Sequence, residues 1–348
     1  MGIKEPLAVP LFDSPFFENL MDKLNYSDSQ KELVRRFREN GILIIEDILA
    51  DDILIEEIKR DTERFIPNRK TRIQDAWKNS EAIKELACKE KVIDVLRILY
   101  GREPIPFQTL NFIYGTQQRL HSDTVHFNSI PKGFICGVWI ALEDVNNENG
   151  ALEYVVGSHK IPEYDFQDLN LGIAKRSNDF DVEKFEEISF NAYKEYEMKI
   201  LDIVNSLNLK TEKILIKKGQ AIVWAANILH GGSKILNDSL TRYSQVTHYF
   251  FENCFYFAPR HSFPKFGQYY LRNVKDIRTN NDIPHTFGGF PVKLIPTKFI
   301  NLYNVDFGDN YGFTSEKNGV IKGEESKDKR EISKKSLFNK FKIKLIDD

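Results

Sequence analysis

The sequence has few cysteines and no excess of charge of either sign, and these shortages exclude several classes of protein. Its three cysteines, Cys88, Cys136 and Cys254, are far apart and form no CxxC pair, so we expect neither a disulfide framework nor a zinc site. A reducing, cytoplasmic setting is therefore expected. The 49 basic and 51 acidic side chains nearly cancel, which removes the electrostatic reason to expect a nucleic-acid partner.

Long hydrophobic runs are also missing. The longest, Phe134 to Leu142, has nine residues, which is less than half of the roughly 20 that a membrane-spanning helix needs. The N-terminal segment has no basic stretch followed by an apolar one, so we expect no export signal and no lipid anchor. The 41% hydrophobic and 12% aromatic residues over 348 positions predict a folded chain with a large core.

The apolar spacing changes its period near residue 107. Before this point the spacing predicts helices over 29–40, 51–65 and 91–100, with a strand at Ile42 to Ile45. After it, turn residues separate short runs that are typical of strands. The predicted strands are 109–114, 121–127, 135–142, 213–216, 220–224 and 242–250. This pattern favours an antiparallel β sandwich or barrel with flanking helices.

The strand-rich region is interrupted once and is followed by a hydrophilic tail. Residues 160–212 are acidic and aromatic with helical spacing, and we predict an insertion that acts as a lid over the site. The expected organisation is an N-terminal extension (1–29), a main domain (30–257) with this insertion, a C-terminal extension packed on it (258–315), and a charged, mobile tail (316–348). A C-terminal helix carrying Leu337 and Phe341 would dock on its own domain; binding to a membrane surface or to a partner is the alternative.

One His and one Asp lie two residues apart in a predicted strand. His121 and Asp123 would therefore project from the same face of a sheet, where both can bind one metal ion. His230, which ends an apolar strand and precedes two glycines, is the best third ligand. Two His and one carboxylate form the facial triad of non-haem Fe(II) sites. The alternative is that His121 and Asp123 simply hydrogen-bond to each other or to the backbone.

A cationic residue follows the third candidate ligand on the next predicted strand. Arg242 lies twelve residues after His230, and Ser244 shares its face of the strand. A guanidinium binds a carboxylate through two hydrogen bonds at once. Arg242 therefore suits a dicarboxylate co-substrate bound beside the metal.

With these residues assembled, the sequence resembles the phytanoyl-CoA dioxygenase family of Fe(II)- and 2-oxoglutarate-dependent oxygenases. The resemblance covers roughly residues 30–257. It is carried by four motifs in the family's order: FRENGILIIEDIL (37–49), HSDTVHF (121–127), ENGALEYVVGSHK (148–160) and KKGQAIVWAANILHGGSKILNDSLTRYS (217–244). The fold that this resemblance implies is a double-stranded β-helix, a cupin-like jelly roll, mainly β with helices packed outside.

The resemblance also implies roles for particular residues. His121, Asp123 and His230 would bind Fe(II), and Arg242, assisted by Ser244, would bind the distal carboxylate of 2-oxoglutarate. The other positions with an implied role are Asn111 and Trp139, which would contact this co-substrate, and His126 and Phe127, which would face the reaction cavity. Each has a structural alternative: a strand-edge hydrogen bond for Asn111, a core position for Trp139, and the rim for the last two.

The implied reaction is hydroxylation of a C–H bond of a small molecule with O2 and 2-oxoglutarate, releasing succinate and CO2. Asp123 argues against halogenation, because the related halogenases have a small residue in its place. Desaturation and other oxidations use the same ligands and stay open. The alternatives are a non-catalytic, metal-binding cupin-like module and a hydroxylase of protein side chains. The sequence predicts neither the substrate nor the oligomeric state.

Overall fold

Helices precede most of the strands, as the sequence pattern predicts. The computed structural model describes residues 8–66, 72–166, 168–171, 182–307, 311–315 and 321–325, and for 182–190 and the last two ranges only the backbone. The helices in these ranges are α1 (Phe17–Lys23), α2 (Asp28–Asn40), α3 (Asp52–Phe65), α4 (Glu81–Ala87), α5 (Glu90–Tyr100) and α6 (Val182–Ser206). None of the helices in the described ranges is long and apolar enough to cross a bilayer.

The helix ends follow ordinary capping rules. Ser27 and Gln30 form a reciprocal capping box at the start of α2, and Gly41 ends that helix in the left-handed conformation. Asp51 accepts hydrogen bonds from the N–H groups of Ile53 and Leu54 at the start of α3. These local signals explain why the three predicted helices of the N-terminal region are found within one or two residues of their expected ends.

The first compact unit, residues 1–305, also contains antiparallel strands, the last of which ends one residue beyond it. They are β1 (Ile42–Ile45), β2 (Arg72–Gln74), β3 (Pro104–Phe112), β4 (Asn128–Ile130), β5 (Ile135–Ala141), β6 (Leu152–Val155), β7 (Thr211–Ile214), β8 (Ala221–Ala225), β9 (His230–Gly232), β10 (Ser244–Phe251), β11 (Phe255–Phe257), β12 (Gln268–Tyr270), β13 (Thr286–Phe287), β14 (Phe290–Pro291), β15 (Lys293–Pro296) and β16 (Leu302–Asp306).

Two of the sheets form the core of the fold. The large sheet has the order β1-β8-β5-β10-β3-β2, and the small sheet has the order β7-β6-β9. The chain passes repeatedly from one sheet to the other, as it does in a double-stranded β-helix. Buried side chains of both inner faces, including Trp139, Ile222, Leu152 and Ile214, pack in one hydrophobic cluster. The predicted fold class, a mainly β jelly roll with flanking helices, is confirmed.

The outer face of the large sheet is covered by helices. Side chains of α2, α4 and α5 share the main hydrophobic cluster with Val138 and Tyr249 of the sheet. The Tyr249 hydroxyl donates to the carbonyl oxygen of Ala87 at the end of α4, at 2.8 Å. Because alternate residues of a strand face opposite sides, the helices bury one set of side chains and leave the other set to the interior between the sheets.

Helix α6 lies in the segment interpreted as an insertion. Its side chains Tyr196, Ile200 and Val204 are buried in a third cluster with Val125 and Leu229, residues next to the predicted metal ligands. The predicted helical character of residues 160–212 is thus observed for its second half. Part of the segment, residues 167 and 172–181, lies outside the described residues.

The second compact unit comprises residues 306–348. Its described strands form an antiparallel pair, β17 (Tyr311–Ser315) and β18 (Ile321–Glu325), in which Tyr311 pairs in register with Glu325. The C-terminal helix expected around Leu337 and Phe341 lies outside the described residues.

Candidate active site

The structure brings together the three side chains that the sequence predicts as metal ligands. Nε2 of His121 lies 3.8 Å from Oδ1 of Asp123, and Nε2 of His230 lies 3.9 Å from the same oxygen. The three candidate ligand atoms lie within 4.8 Å of one another, and all three residues are buried. Two imidazole nitrogens and one carboxylate oxygen on one side of an ion form the facial set typical of non-haem Fe(II). The donor chemistry therefore fits Fe(II) with positions left for further ligands.

A backbone bridge and a turn, not the single strand that the sequence predicts, bring the three side chains together. His121 and His230 form an antiparallel bridge, in which the N–H of each donates to the carbonyl oxygen of the other at 3.0 Å. Gly231 permits the close approach, since a Cβ there would lie 2.6 Å from the carbonyl oxygen of Gln118. Asp123 begins a short 3-10 turn, Asp123–Val125. The strand predicted for 121–127 is therefore wrong, and a bridge followed by a turn converges the side chains instead.

Backbone carbonyl oxygens orient both imidazoles. Nδ1 of His121 faces the oxygen of Arg119 at 2.9 Å, and Nδ1 of His230 faces the oxygen of Ile228 at 3.1 Å. A carbonyl oxygen only accepts, so each Nδ1 carries the ring proton and each Nε2 has its lone pair available for a metal. Burial, followed by the nearby His230, lowers the pKa of His121 to about 4 and keeps this ring neutral at neutral pH. The Gln118 amide donates to Nε2 of His121 at 3.2 Å, a bond that metal binding would replace.

Two side chains for which the sequence analysis predicted no role contact the other oxygen of Asp123. Nε1 of Trp224 donates to Oδ2 of Asp123 at 2.8 Å, and Nε2 of His248 lies 3.5 Å from the same oxygen. Burial alone would raise the pKa of Asp123, but the electrostatic interaction with the nearby His230 and the hydrogen bond from His248 outweigh it and hold the pKa well below its ordinary value. The carboxylate is therefore ionised, with Oδ1 free to face the metal position.

A glycine on the adjacent strand makes room for Trp224. Gly137 of β5 pairs in register with Trp224 of β8, and a Cβ at Gly137 would lie 2.2 Å from Cζ2 of the indole. Any side chain at this position would displace the ring that orients Asp123. The one glycine within the apolar strand FICGVWIAL is the sequence signal that could have pointed to this contact.

Arg242 is a buried cation without a carboxylate partner among the described residues. Its Nη1 donates to the carbonyl oxygen of Gly150 at 2.7 Å, while its Nε is buried and has no hydrogen-bond partner. The guanidinium carbon lies 5.3 Å from the centre of the Trp139 ring. Burial lowers the pKa of Arg242 to about 10, which leaves the group charged at neutral pH. A buried guanidinium with an unused donor fits a carboxylate ligand.

The other residues predicted to contact the co-substrate differ in their placement. Trp139 lines the same cavity as Arg242, and both line it together with the three candidate ligands. Ser244 is fully buried, and its Oγ donates only a long hydrogen bond, 3.4 Å, to the backbone oxygen of Arg242. Ser244 is therefore placed to support the backbone of Arg242 rather than to contact a ligand.

The expectation for Asn111 needs correction. Gln108, Leu110 and Phe112 of β3 line the cavity, and strand alternation turns Asn111 to the opposite face. There its Nδ2 donates to Oε1 of Gln245 at 3.0 Å. Asn111 is thus a buried polar residue beneath the flanking helices, on the side of the sheet away from the candidate metal centre.

His126 and Phe127 both line the cavity, as the family resemblance implies. Nε2 of His126 lies 3.2 Å from the hydroxyl of Tyr193 in α6, so the insertion contributes to the same cavity. The Phe127 ring lies 5.2 Å from the His248 ring, centre to centre. His126 and Phe127 therefore contact residues of α6 and β10 that also line the cavity.

The cavity has a volume of about 430 Å³ and is lined by both sheets, by α6 and by the region after residue 257. Ala258, Arg260, His261 and Arg272 are the lining residues from that last region. No motif had pointed to these four, because the family resemblance ends near residue 257. Only the three-dimensional path of the chain brings them to the site.

Comparisons with known proteins agree with this site. A sequence model of the phytanoyl-CoA dioxygenase family (PhyH) matches residues 108–243, a span that includes His121, Asp123, His230 and Arg242. The "Phytanoyl-CoA dioxygenase domain-containing protein 1" of Danio rerio is 32% identical over 81 residues, which are 22% of this chain and 28% of the relative. The chain thus matches little more than a quarter of that relative's length. The resemblance to the phytanoyl-CoA dioxygenase family is confirmed.

Several solved structures are also similar to this chain. The epimerase SnoN in complex with Fe3+, alpha ketoglutarate and nogalamycin RO is 17% identical with a TM-score of 0.49, over 74% of this chain and 96% of that one. EctD from S. alaskensis with 2-oxoglutarate and 5-hydroxyectoine is 17% identical with a TM-score of 0.46, over 71% of this chain and 82% of that one. The basis for the fold class remains the strand order of the two sheets.

Proposed function

We propose that the protein is an Fe(II)- and 2-oxoglutarate-dependent dioxygenase that hydroxylates a C–H bond of a small molecule. One observation carries the proposal. A buried facial triad and the buried Arg242, whose Nε has no hydrogen-bond partner among the described residues, line the same cavity. A structural metal site needs no such cation beside it. A 2-oxoglutarate site needs both a metal and a group for the distal carboxylate.

Each residue of the site then has a definite task. His121, Asp123 and His230 would hold Fe(II) on one side, and Arg242 would bind the distal carboxylate of 2-oxoglutarate. Trp224 keeps Oδ1 of Asp123 directed at the metal position by holding Oδ2. When bound, Fe(II) with 2-oxoglutarate and O2 supplies the oxidising power for hydroxylation, in which one oxygen atom enters the substrate and the other enters succinate, with loss of CO2.

The shape of the cavity favours a small molecule over a protein side chain as substrate. Its volume of about 430 Å³ falls in the usual range for small-molecule sites. The aromatic rings of Phe127, Trp139 and Tyr193 lie in its wall and would limit access of water to the reacting atoms. The cytoplasm is the proposed location, supported by the free thiols of the three cysteines.

Anaerobic reconstitution tests the proposed function. The protein is titrated with Fe(II) and then with 2-oxoglutarate, and after admission of O2 succinate and products with a gain of one oxygen atom are measured by mass spectrometry. We expect one Fe(II) and one 2-oxoglutarate per chain. Asp123→Ala should lose Fe(II) binding and succinate formation, whereas Asp238→Ala, a change at an exposed carboxylate, should retain both. Undiminished Fe(II) binding in Asp123→Ala would contradict the assignment of the triad.

A further inference from the structure

Arg242 lies in a short segment without regular secondary structure. Residues Thr241 to Tyr243 precede β10, which begins at Ser244. The Arg242 N–H donates to the carbonyl oxygen of Ile113 at 2.7 Å. A guanidinium binds a carboxylate through two hydrogen bonds only when its position and its plane suit the ligand. The contacts that hold this segment therefore decide whether Arg242 is ready to bind.

The carboxylate of Glu143 binds the residues on both sides of Arg242. Its Oε1 accepts a hydrogen bond from the backbone N–H of Tyr243 at 2.7 Å, and its Oε2 accepts one from the hydroxyl of Thr241 at 3.0 Å. Burial lowers the pKa of Arg242, and the charge of Glu143 partly opposes this effect. Glu143 thus stabilises the guanidinium charge and leaves Nε of Arg242 without a hydrogen-bond partner among the described residues.

The loop between β5 and β6, which contains Glu143, also holds this segment through Asn149. Nδ2 of Asn149 donates to the carbonyl oxygen of Thr241 at 3.2 Å and to that of Asp144, within the loop, at 3.1 Å. Asn149 is buried, and the carbonyl oxygen of the next residue, Gly150, accepts a hydrogen bond from Nη1 of Arg242 at 2.7 Å. One loop therefore contacts the guanidinium and both neighbours of Arg242.

We propose that Glu143 is a positioning residue for Arg242 and thereby increases the affinity of the protein for 2-oxoglutarate. This inference rests on the proposed function, in which Arg242 binds the distal carboxylate of that co-substrate. Glu143 fixes the backbone from which the side chain extends, and the guanidinium carbon lies 5.3 Å from the centre of the Trp139 ring and 5.8 Å from that of Phe112. A side chain held at both ends loses less freedom on binding, and this preorganisation strengthens the complex.

Titration of 2-oxoglutarate into the Ni(II)-loaded protein by calorimetry tests the proposal. Glu143→Ala removes both hydrogen bonds and should weaken 2-oxoglutarate binding by about 10-fold or more. Its Ni(II) affinity should stay within about twofold of the wild type, because the candidate metal ligands lie on other segments of the chain. Glu143→Gln should restore 2-oxoglutarate binding to within about threefold of the wild type, since an amide can accept from the Tyr243 N–H and donate to the Thr241 hydroxyl.

A second pair of variants gives a test even if Glu143→Ala does not fold. Thr241→Val removes one of the two hydrogen bonds and should weaken 2-oxoglutarate binding by about 3- to 10-fold. Thr241→Ser keeps the hydroxyl and should bind as the wild type does. Glu148→Ala is the matched control, because it removes an exposed carboxylate from the same loop, and it should leave 2-oxoglutarate affinity within about twofold.

A double variant separates positioning from a direct contact with the ligand. Because Glu143 acts through Arg242, Glu143→Ala combined with Arg242→Gln should bind 2-oxoglutarate no more weakly than Arg242→Gln alone. Additive losses, an equal loss in Glu143→Gln and Glu143→Ala, or unchanged affinity in folded Glu143→Ala or in Thr241→Val would each overturn this inference alone. Failure of the wild type to bind 2-oxoglutarate would overturn the proposed function and this inference with it.

Discussion

Nε1 of Trp224 donates a 2.8 Å hydrogen bond to Oδ2 of Asp123. This bond determines which oxygen of the carboxylate faces His121 and His230, the other two candidate metal ligands. Oδ1 is the atom that lies 3.8 Å from His121 and 3.9 Å from His230. The indole thus orients the carboxylate that faces the candidate metal position and does not itself serve as a ligand. Outer hydrogen bonds of this kind commonly tune metal affinity by orienting the ligand.

Replacing Trp224 by Phe should weaken Fe(II) binding by about 10- to 100-fold, because Asp123 loses the donor that holds Oδ2. The measurement is anaerobic calorimetry with Fe(II). Trp77→Phe is the matched control: Nε1 of Trp77 is buried but has no hydrogen-bond partner among the described residues, so its removal should leave Fe(II) affinity unchanged. Equal affinities for both variants and the wild type would show that the indole does not position Asp123.

Substitution of Gly137, the glycine that packs against Trp224, should also weaken Fe(II) binding. Gly137→Ala places a Cβ 2.2 Å from Cζ2 of the indole and should lower stability by about 1–3 kcal/mol through overpacking. It should also weaken Fe(II) binding, although no polar group is removed. Because both residues act through one hydrogen bond, Gly137→Ala combined with Trp224→Phe should bind Fe(II) no more weakly than Trp224→Phe alone. Additive losses in the double variant would refute that shared route.

Arg242 should determine the affinity for 2-oxoglutarate. Removing the buried partner of a carboxylate costs about 2–5 kcal/mol, so Arg242→Gln should weaken 2-oxoglutarate binding by roughly 30- to 5,000-fold. Arg242→Lys should also be poor, since an ammonium lacks the planar fork. Titration of 2-oxoglutarate into the Ni(II)-loaded proteins measures this, with Arg60→Lys as control. Near-normal binding by Arg242→Gln would transfer the role to another residue, with Arg119 the first to test.

Helix α6 should close over the bound substrate as part of the predicted lid. Tyr193 lines the cavity, and the buried face of α6 packs beside the candidate metal centre through Tyr196, Ile200 and Val204. Hydrogen exchange of residues 191–206 should slow when Fe(II), 2-oxoglutarate and substrate are all bound anaerobically, because closure protects amides that open locally in the free protein. Exchange in α3, Asp52–Phe65, serves as the internal reference. Unchanged exchange in α6 on substrate binding would refute the lid.

His285 should make the stability depend on pH, independently of the metal. Its Nδ1 accepts a hydrogen bond from the Tyr256 N–H at 3.2 Å, and burial lowers the pKa of His285 to about 4. Since its unfolded pKa is near 6.5, the unfolded state binds the proton first, and stability falls as the pH drops from about 6.5 to about 4.

Substitution of His285 by Gln, which can still accept that hydrogen bond, should reduce this acid-dependent loss. Urea unfolding of metal-free protein at about pH 7 and about pH 4.5 should show a loss smaller by about 2 kcal/mol in His285→Gln than in the wild type. An identical loss in both proteins would show that His285 does not take up a proton in this range.

The local elements and the identity of the candidate ligands could be predicted from the sequence because their causes are local. Capping side chains begin α2 and α3, and glycines in the left-handed conformation end α2 and α5. His121, Asp123, His230 and Arg242 belong to motifs in which residue type and spacing carry the chemistry. The prediction that two imidazoles and one carboxylate lie together rested on residue type. It therefore holds although the backbone at Asp123 is a turn and not the strand that the sequence predicted.

The tertiary structure alone decided which side chains surround that motif. The face on which Asn111 lies depends on the register of β3 in the sheet, which no single-strand pattern shows. The contact of Trp224 with Asp123 joins residues 101 positions apart and depends on the space above Gly137. Arg260 and Arg272 reach the cavity because the chain after residue 257 folds back over it. Such contacts arise from packing between segments that are distant in the chain. The sequence pattern of either segment alone therefore does not predict them.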